Sequence, residues 1–474
     1  MKLRSRTTYS PDDINNHLLR WANLPAEIRL MILEQVEVGN KGHDLSDWAR
    51  VSREWQAFFE PQILQHLKLQ YPGSDIDNLS LFVQGYRRGL VKRILLHVRT
   101  EEYDNEDKFD ELETRDTIKA NNKLFSQAIK KLFASLSTWF DGSTNSGIEL
   151  RLSASSPSDS GHPWKHRTET SQHDRSRIYS LNSKRRLLGN LLDISSGALK
   201  LAQVPIIRRF SVNQHCYRSL SSALLAKVLG SLCRVKTISY EPWHAITREE
   251  QFPRDMAMIR LLDCASELVT IRSLHVWEAH SPLNGDKHFL RFCNDYLVSS
   301  AVNASYRLRC FTLCHAVDAR DFFRCASRDA PGNPSEPSDG SRTWPTLEYL
   351  ALTTDVGPLI SSQSSLEELI LQASRAALRM PLLKVMEIWA PGAGEGFVFR
   401  YHLWKESPLV TLIATWQLGL SKKALESWKK VAAGSTEREL ACNVKLERSG
   451  TTTSNSLYAL CNRLGLRPRL REWK

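Results

Sequence analysis

A six-residue pattern, apolar-x-x-apolar-x-apolar, recurs along the chain and limits its fold more narrowly than any other feature. It stands at Ile207/Phe210/Val212, Val235/Ile238/Tyr240, Ile271/Leu274/Val276, Leu308/Phe311/Leu313, Leu347/Leu350/Leu352 and Leu383/Met386/Ile388. The first positions are 28, 36, 37, 39 and 36 residues apart. An earlier copy stands at Val91/Ile94/Leu96, with a looser alternation at Ile148/Leu150/Leu152. The alternating end of each copy is that of a strand with one buried face. Between copies, stretches 220–232, 256–265, 289–302 and 365–379 carry apolar residues three and four apart, which predicts helices. A strand, a helix of about a dozen residues and a second strand is the shortest route between parallel neighbours. Each unit then has an apolar strand face that only its neighbour can cover, so the units stack. An α/β fold follows. Whether it is a repeat array or an ordinary α/β domain with coincident spacing stays open at this level.

Residues 23–67 follow a different logic. Asn23-Leu24-Pro25 opens a helix, because proline suits the first turn, where its missing amide costs nothing. Ile28, Ile32, Leu33 and Val36 then recur at helical spacing, and Gly39 and Gly42 break the chain. Asp44 is placed to cap a short second helix over 44–51, and Ser52 a third that carries Trp55, Phe58 and Phe59. A helical module of about 45 residues is small to stand alone and calls for a partner or a neighbouring domain.

The elements Leu24-Pro25-x-Glu27-Ile28, Ile32-Leu33, Asp44-Leu45 and Ala49-x-Val51-Ser52-x-x-Trp55, taken in order, resemble an F-box. Two departures are a long glycine-containing loop over 37–43 and Val36 where leucine is commoner. The resemblance implies docking onto the Skp-type adaptor of an SCF-type cullin–RING ubiquitin ligase. It places Leu24, Pro25, Ile28, Ile32, Val51 and Trp55 at that surface or directly supporting it. The repeats are similar to leucine-rich repeats, although longer than the common 20–29 residues and without an Asn/Cys ladder position. An F-box followed by long irregular repeats resembles a group of filamentous-fungal F-box proteins, as do Gly396-Phe397-x-Phe399-Arg400-Tyr401 and Thr415-Trp416.

The implied architecture is α/β: a three-helix F-box module followed by an irregular leucine-rich-repeat-like α/β solenoid. Its expected parts are a flexible tail (1–20), the F-box (21–71), the repeat region (72–420) and a C-terminal cap with a basic tail (421–474). Mobile insertions are expected at 101–116, 153–183 and 326–344, from their acidic, Ser/His/Arg-dense and Pro/Gly/Ser-rich compositions. The implied function is that of a non-catalytic substrate receptor, recruiting a protein target for ubiquitination. On the strand face opposite the core, Trp277, Tyr349 and Trp389 are candidate target anchors, because large aromatics of this kind anchor protein interfaces.

Other chemistry is sparse. Gly392-Ala393-Gly394-Glu395-Gly396 runs into a strand alternation where a phosphate loop would need a helix, so it reads as a turn. Cys310 and Cys314 on one strand face stand about 13 Å apart, too far to share a zinc ion. No Walker loop, GxSxG elbow or HExxH helix occurs, so no cofactor, metal or catalytic residue is expected. Sixty-four Lys and Arg against 52 Asp and Glu give a net charge of +12. Lys184-Arg185-Arg186 and the tail Arg463, Arg467, Arg469, Arg471 and Lys474 concentrate part of it. No recognised nucleic-acid fold surrounds them, which argues against nucleic acid. The alternative function is a non-ubiquitin α/β scaffold or a nucleic-acid-associated protein using that basic surface. Residues 1–13 lack a signal-peptide core, and the apolar run 408–420 is too short and too polar to span a bilayer. The expected location is the cytoplasm, the nucleus or both, with no membrane partner.

Overall fold

The computed structural model describes residues 21–39, 45–103, 109–139, 147–162, 181–194, 200–214, 216–278, 291–328, 342–391 and 395–446. The chain forms two compact units: Met1–Leu67 with Gly85–Lys92, and Lys68–Gln84 with Arg93–Lys474. The first boundary therefore falls after Leu67, ahead of the expected 71, and a later segment returns to the first unit.

In the first unit, the helix Ala26–Gly39 begins directly after Pro25, whose carbonyl accepts from Arg29 N at 3.0 Å. A second long helix, Arg53–Gln65, is capped by the Ser52 hydroxyl, which accepts from Trp55 N at 3.4 Å. The expected helix over 44–51 is instead one 3-10 turn, Trp48–Arg50, and Asp44 lies outside the described residues. So short a segment gains too few hydrogen bonds to offset helix nucleation. The core is aromatic. The Trp55 ring lies 5.3 Å from Trp21, 5.7 Å from Trp48 and 5.9 Å from Phe59, with Phe59 and Leu33 buried. Trp21 Nε1 and Arg29 Nη1 both donate to Glu54 Oε2, at 2.7 and 3.1 Å, tying the two helices together.

The second unit is a mixed α/β structure around a twelve-stranded, largely parallel sheet. Its strands begin with β1 (His66–Tyr71), β2 (Arg93–Arg99) and β3 (Ile148–Ser155), followed by β4 (Leu191–Leu192), β5 (Ile207–Val212), β6 (Ser219–Leu220) and β7 (Thr237–Tyr240). Next come β8 (Ser273–Trp277), β9 (Cys310–Asp318), β10 (Tyr349–Thr353), β11 (Val385–Pro391), β12 (Gly396–Trp404), β13 (Ser407–Ala414) and β14 (Ala441–Leu446). The order β1-β2-β3-β5-β7-β8-β9-β10-β11-β12-β13-β14 follows the chain, while β4 and β6 form a small parallel pair.

The apolar pattern falls into register. Ile94, Leu150, Phe210, Ile238, Leu274, Phe311, Leu350 and Met386 face one another from strand to strand in one row. Two residues on, Leu96, Leu152, Val212, Tyr240, Val276, Leu313, Leu352 and Ile388 form a second row. Every one of these side chains is buried, each contributing about 1.5–3 kcal/mol if aliphatic or phenyl. Helices Ser222–Ser231, Arg248–Glu267, Asp295–Ser305 and Gln363–Ala377 lie where the periodicity places them. The side chains of Ser221, Thr247, Asn294 and Ser362 cap their amino ends.

Three features depart from a uniform repeat. Strand β12 runs antiparallel to both β11 and β13, so the sequence after Gly396 and the apolar run after 407 form a hairpin. The longest helix, Arg115–Ser137, lies between two copies of the motif that are unusually far apart. Among the described residues, the ends of the insertions are packed into the fold. Tyr103 and the Glu113 side chain are buried, residues 153–162 finish β3 and form a 3-10 turn around a fully buried Asp159, and Trp344 is fully buried. Each polar group so placed has a buried partner, which composition does not reveal. Residues 1–20, 104–108, 163–180, 329–341, 392–394 and 447–474, including the glycines 392 and 394 and the tail arginines, lie outside the described residues.

Candidate functional site

On the helix Ala26–Gly39, Arg29, Ile32, Leu33 and Val36 turn towards the module core, Leu33 buried and the others half-buried. Ile28, a member of the same apolar stripe in the sequence, points outward. It is exposed together with Leu30, Met31 and Val38. Val51, 58% exposed, and Pro25 are exposed as well. Of the residues assigned to a docking surface, Pro25, Ile28 and Val51 are therefore open to solvent. Leu24, Ile32 and Trp55 are half-buried, and Trp55 supports the module through its ring contacts. A solvated helix face gains nothing from Ile28, Met31 and Val38 unless something covers them.

The sheet side opposite the core is polar and part-exposed at Thr237, Ser239, His275 and Tyr349. Here Trp277 and Trp389, expected as exposed target anchors, are buried: 8% and 3% exposed. Their rings stack at 5.1 Å, His315 meets both edge-on at 5.5 and 5.3 Å, and Cys314 and Val398 complete the cluster. Each indole shields the other, which a face-by-face reading of single strands does not anticipate. Tyr349 remains half-buried, its hydroxyl donating to Glu387 Oε2 at 2.6 Å. His315 has φ 66°, an uncommon backbone for a residue with a Cβ, at the irregularity where β9 slips against β10.

On the same side, Arg93 Nε and Arg151 Nε donate to Glu149 at 2.8 and 2.7 Å, and Ser211 Oγ donates at 3.1 Å. Burial pushes the Glu149 pKa up, but the bonds from Arg151 and Arg93 outweigh it and hold it below the ordinary carboxylate range. A depressed carboxylate stabilises the fold above its ordinary value and loses that stabilisation as pH falls through the folded one. Thermal midpoints followed from pH 7 to about 3 are expected to fall less steeply for Glu149→Gln than for the unsubstituted protein. Equal slopes would remove Glu149 as an acid-sensitive element.

Two buried ionic clusters occupy the carboxyl-terminal side of the strands, where open α/β sheets commonly bind ligands. In one, Arg291 donates to both Glu278 oxygens at 2.9 Å and to Asp255, while Gln251 and Asn294 also donate to Asp255. Arg254 beside it donates to Ser219 Oγ, Trp243 O and Leu188 O. The cavity there is about 10 Å³, room for a water and no more. In the other, Arg218 is clamped between Glu113 and two helix carbonyls. Both clusters are closed and charge-matched. An open cleft of about 320 Å³ between helices Asp295–Ser305 and Ala319–Arg328 is lined by Asp295, Asp321, Arg324 and Cys325. Asp321 and Arg324 pair with each other there. Among the described residues, no group of three or more His, Cys, Asp or Glu is placed to hold a metal ion. Among them, too, no helix is long and apolar enough to cross a membrane.

Residues 269–470 match the model of a family of unknown function, DUF6546. That stretch begins just before β8 and takes in β8 to β14. No curated protein and no solved structure matches the chain.

Proposed function

We propose that this protein is the substrate receptor of a cullin–RING ubiquitin ligase, its first unit docking a Skp-type adaptor and its sheet region presenting a target protein. The observation that carries the reading is the set of exposed apolar residues Ile28, Met31 and Val38 along the first helix, with exposed Pro25 and Val51, on a module with the ordered F-box elements. Burial of such a set against an adaptor would supply the hydrophobic core of an interface. The sheet region reads as an irregular leucine-rich-repeat-like array, supported by consecutive parallel pairing from β7 to β11. In this role the protein contributes proximity, holding a target near a catalyst carried elsewhere.

The test is co-expression with a Skp-type adaptor and capture through the receptor. Wild type is expected to retain the adaptor, and Ile28→Asp with Met31→Asp to lower retention at least about tenfold, since two charges would be buried in an apolar interface. Both side chains are exposed in the free chain, at 42% and 58%, so the fold tolerates the change. Failure of wild type to retain the adaptor, or equal retention by the variant, would sink the reading.

A further inference from the structure

At the amino-terminal ends of successive strands, one position is basic almost every time: Arg208, Lys236, Arg272, Arg309 and Lys384, with Glu348 as the exception. The backbone makes these six residues consecutive rungs. Lys236 N donates to Arg208 O at 2.8 Å, Arg272 N to Lys236 O at 2.8 Å, and Arg309 N to Arg272 O at 2.7 Å. Glu348 N continues to Arg309 O, and Lys384 N to Glu348 O, both at 2.8 Å. Lys236, Arg272, Arg309 and Lys384 are exposed; Arg208 and Glu348 are half-buried. Gly147, at φ 64°, makes room for Arg208, because a Cβ there would stand 1.8 Å from the arginine Cγ.

The row is uneven in charge. Glu348 is bridged from both sides, by Arg309 at 2.7 Å and Lys384 at 3.0 Å. Among the described residues, no carboxylate is paired with Arg208, Lys236 or Arg272, three cations on adjacent rungs. Like charges directly opposite on neighbouring strands destabilise a sheet. Folding alone gives no reason to line them up.

We infer that this row binds an extended acidic segment of the target protein, laid across the strands along the rungs. The inference rests on the reading of the sheet region as the target-presenting part. Six rungs at about 4.8 Å span about 24 Å, the length of about seven extended residues. Charge complementarity would guide encounter and fix the register of such a segment. Single-stranded nucleic acid needs rings on which bases stack. The residues next to the row are Arg209, Thr237, Ser273, Cys310, Tyr349 and Val385, and their one ring, Tyr349, has its hydroxyl engaged by Glu387.

The full-length protein is titrated into fluorescein-labelled octaglutamate, with anisotropy read at about 50 and 200 mM salt. Binding that weakens with salt is expected, and Lys236→Glu with Arg272→Glu is expected to weaken it by about tenfold or more. The control, Lys422→Glu with Lys423→Glu, makes the same charge change at two exposed helix positions and is expected to alter affinity less than about twofold. Absence of wild-type binding, or equal losses in both variants, would overturn the inference. So would a short DNA duplex that binds more tightly than the peptide and is lost with the row variant. No adaptor is present in this assay, so failure of adaptor capture and failure of the row are read separately.

Discussion

Arg218→Met is expected to lower the stability of the second unit by about 3–5 kcal/mol, read as a reduced urea midpoint. The guanidinium has almost no contact with solvent, 2% exposed, and neither has its partner Glu113 at 3%. Arg218 Nη2 donates to Glu113 Oε1 at 2.8 Å, while Nη1 donates to the carbonyls of Arg186 and Leu187 at 2.6 and 2.9 Å. Those carbonyls end the helix Leu181–Leu188, where a cation also meets the negative end of the helix dipole. Methionine fills similar space but leaves two carbonyls without this donor and Glu113 without its cation, with only the neutral amides of Asn190 and Asn121 still donating to it. Most of the cost is that stranded charge, so Arg218→Met combined with Glu113→Leu should recover at least about half of the loss. A single variant as stable as wild type would show that Glu113 is solvated in practice.

The two buried rows were legible because each strand repeats apolar-x-apolar, and a row forms whenever neighbouring strands keep register. Ser52 marked the start of its helix for a similarly local reason. Tertiary partnerships were not legible. Glu113 lies in an acidic stretch that reads as solvated, and the residue that buries it, Arg218, is more than one hundred positions away. Ile28 matched the apolar spacing of the first helix but fell one position off the inward face, and only the packing of Leu33 fixes that rotation. The long helix Arg115–Ser137 sat in a gap the repeat spacing skipped, although its apolar periodicity is clear once the segment is considered alone. The basic rungs were visible in the sequence too. They pass unnoticed when charge is counted as a total instead of by its position in the repeat.

Trp389→Ala is expected to cost about 3–5 kcal/mol of stability, the usual range for emptying a buried aromatic site. The experiment decides between two roles for the same side chain. An interface anchor on an open face would lose target binding while the free protein kept its unfolding midpoint. Trp389 instead stacks on Trp277, contacts His315 edge-on and belongs to a buried cluster with Cys314 and Val398. The indole–indole contact is worth about 0.5–1.5 kcal/mol beyond area burial, so Trp277→Ala and Trp389→Ala together should cost less than their separate losses added. Tyr349→Phe, by contrast, removes one hydroxyl donor to Glu387, an acceptor that keeps its bond from Arg400 Nε at 2.8 Å. Its expected cost is about 1 kcal/mol. Full stability in Trp389→Ala would return both tryptophans to the list of surface anchors and make the stacked pair a recognition element. A large loss leaves Tyr349 as the one ring of the three that stays part-exposed on that face.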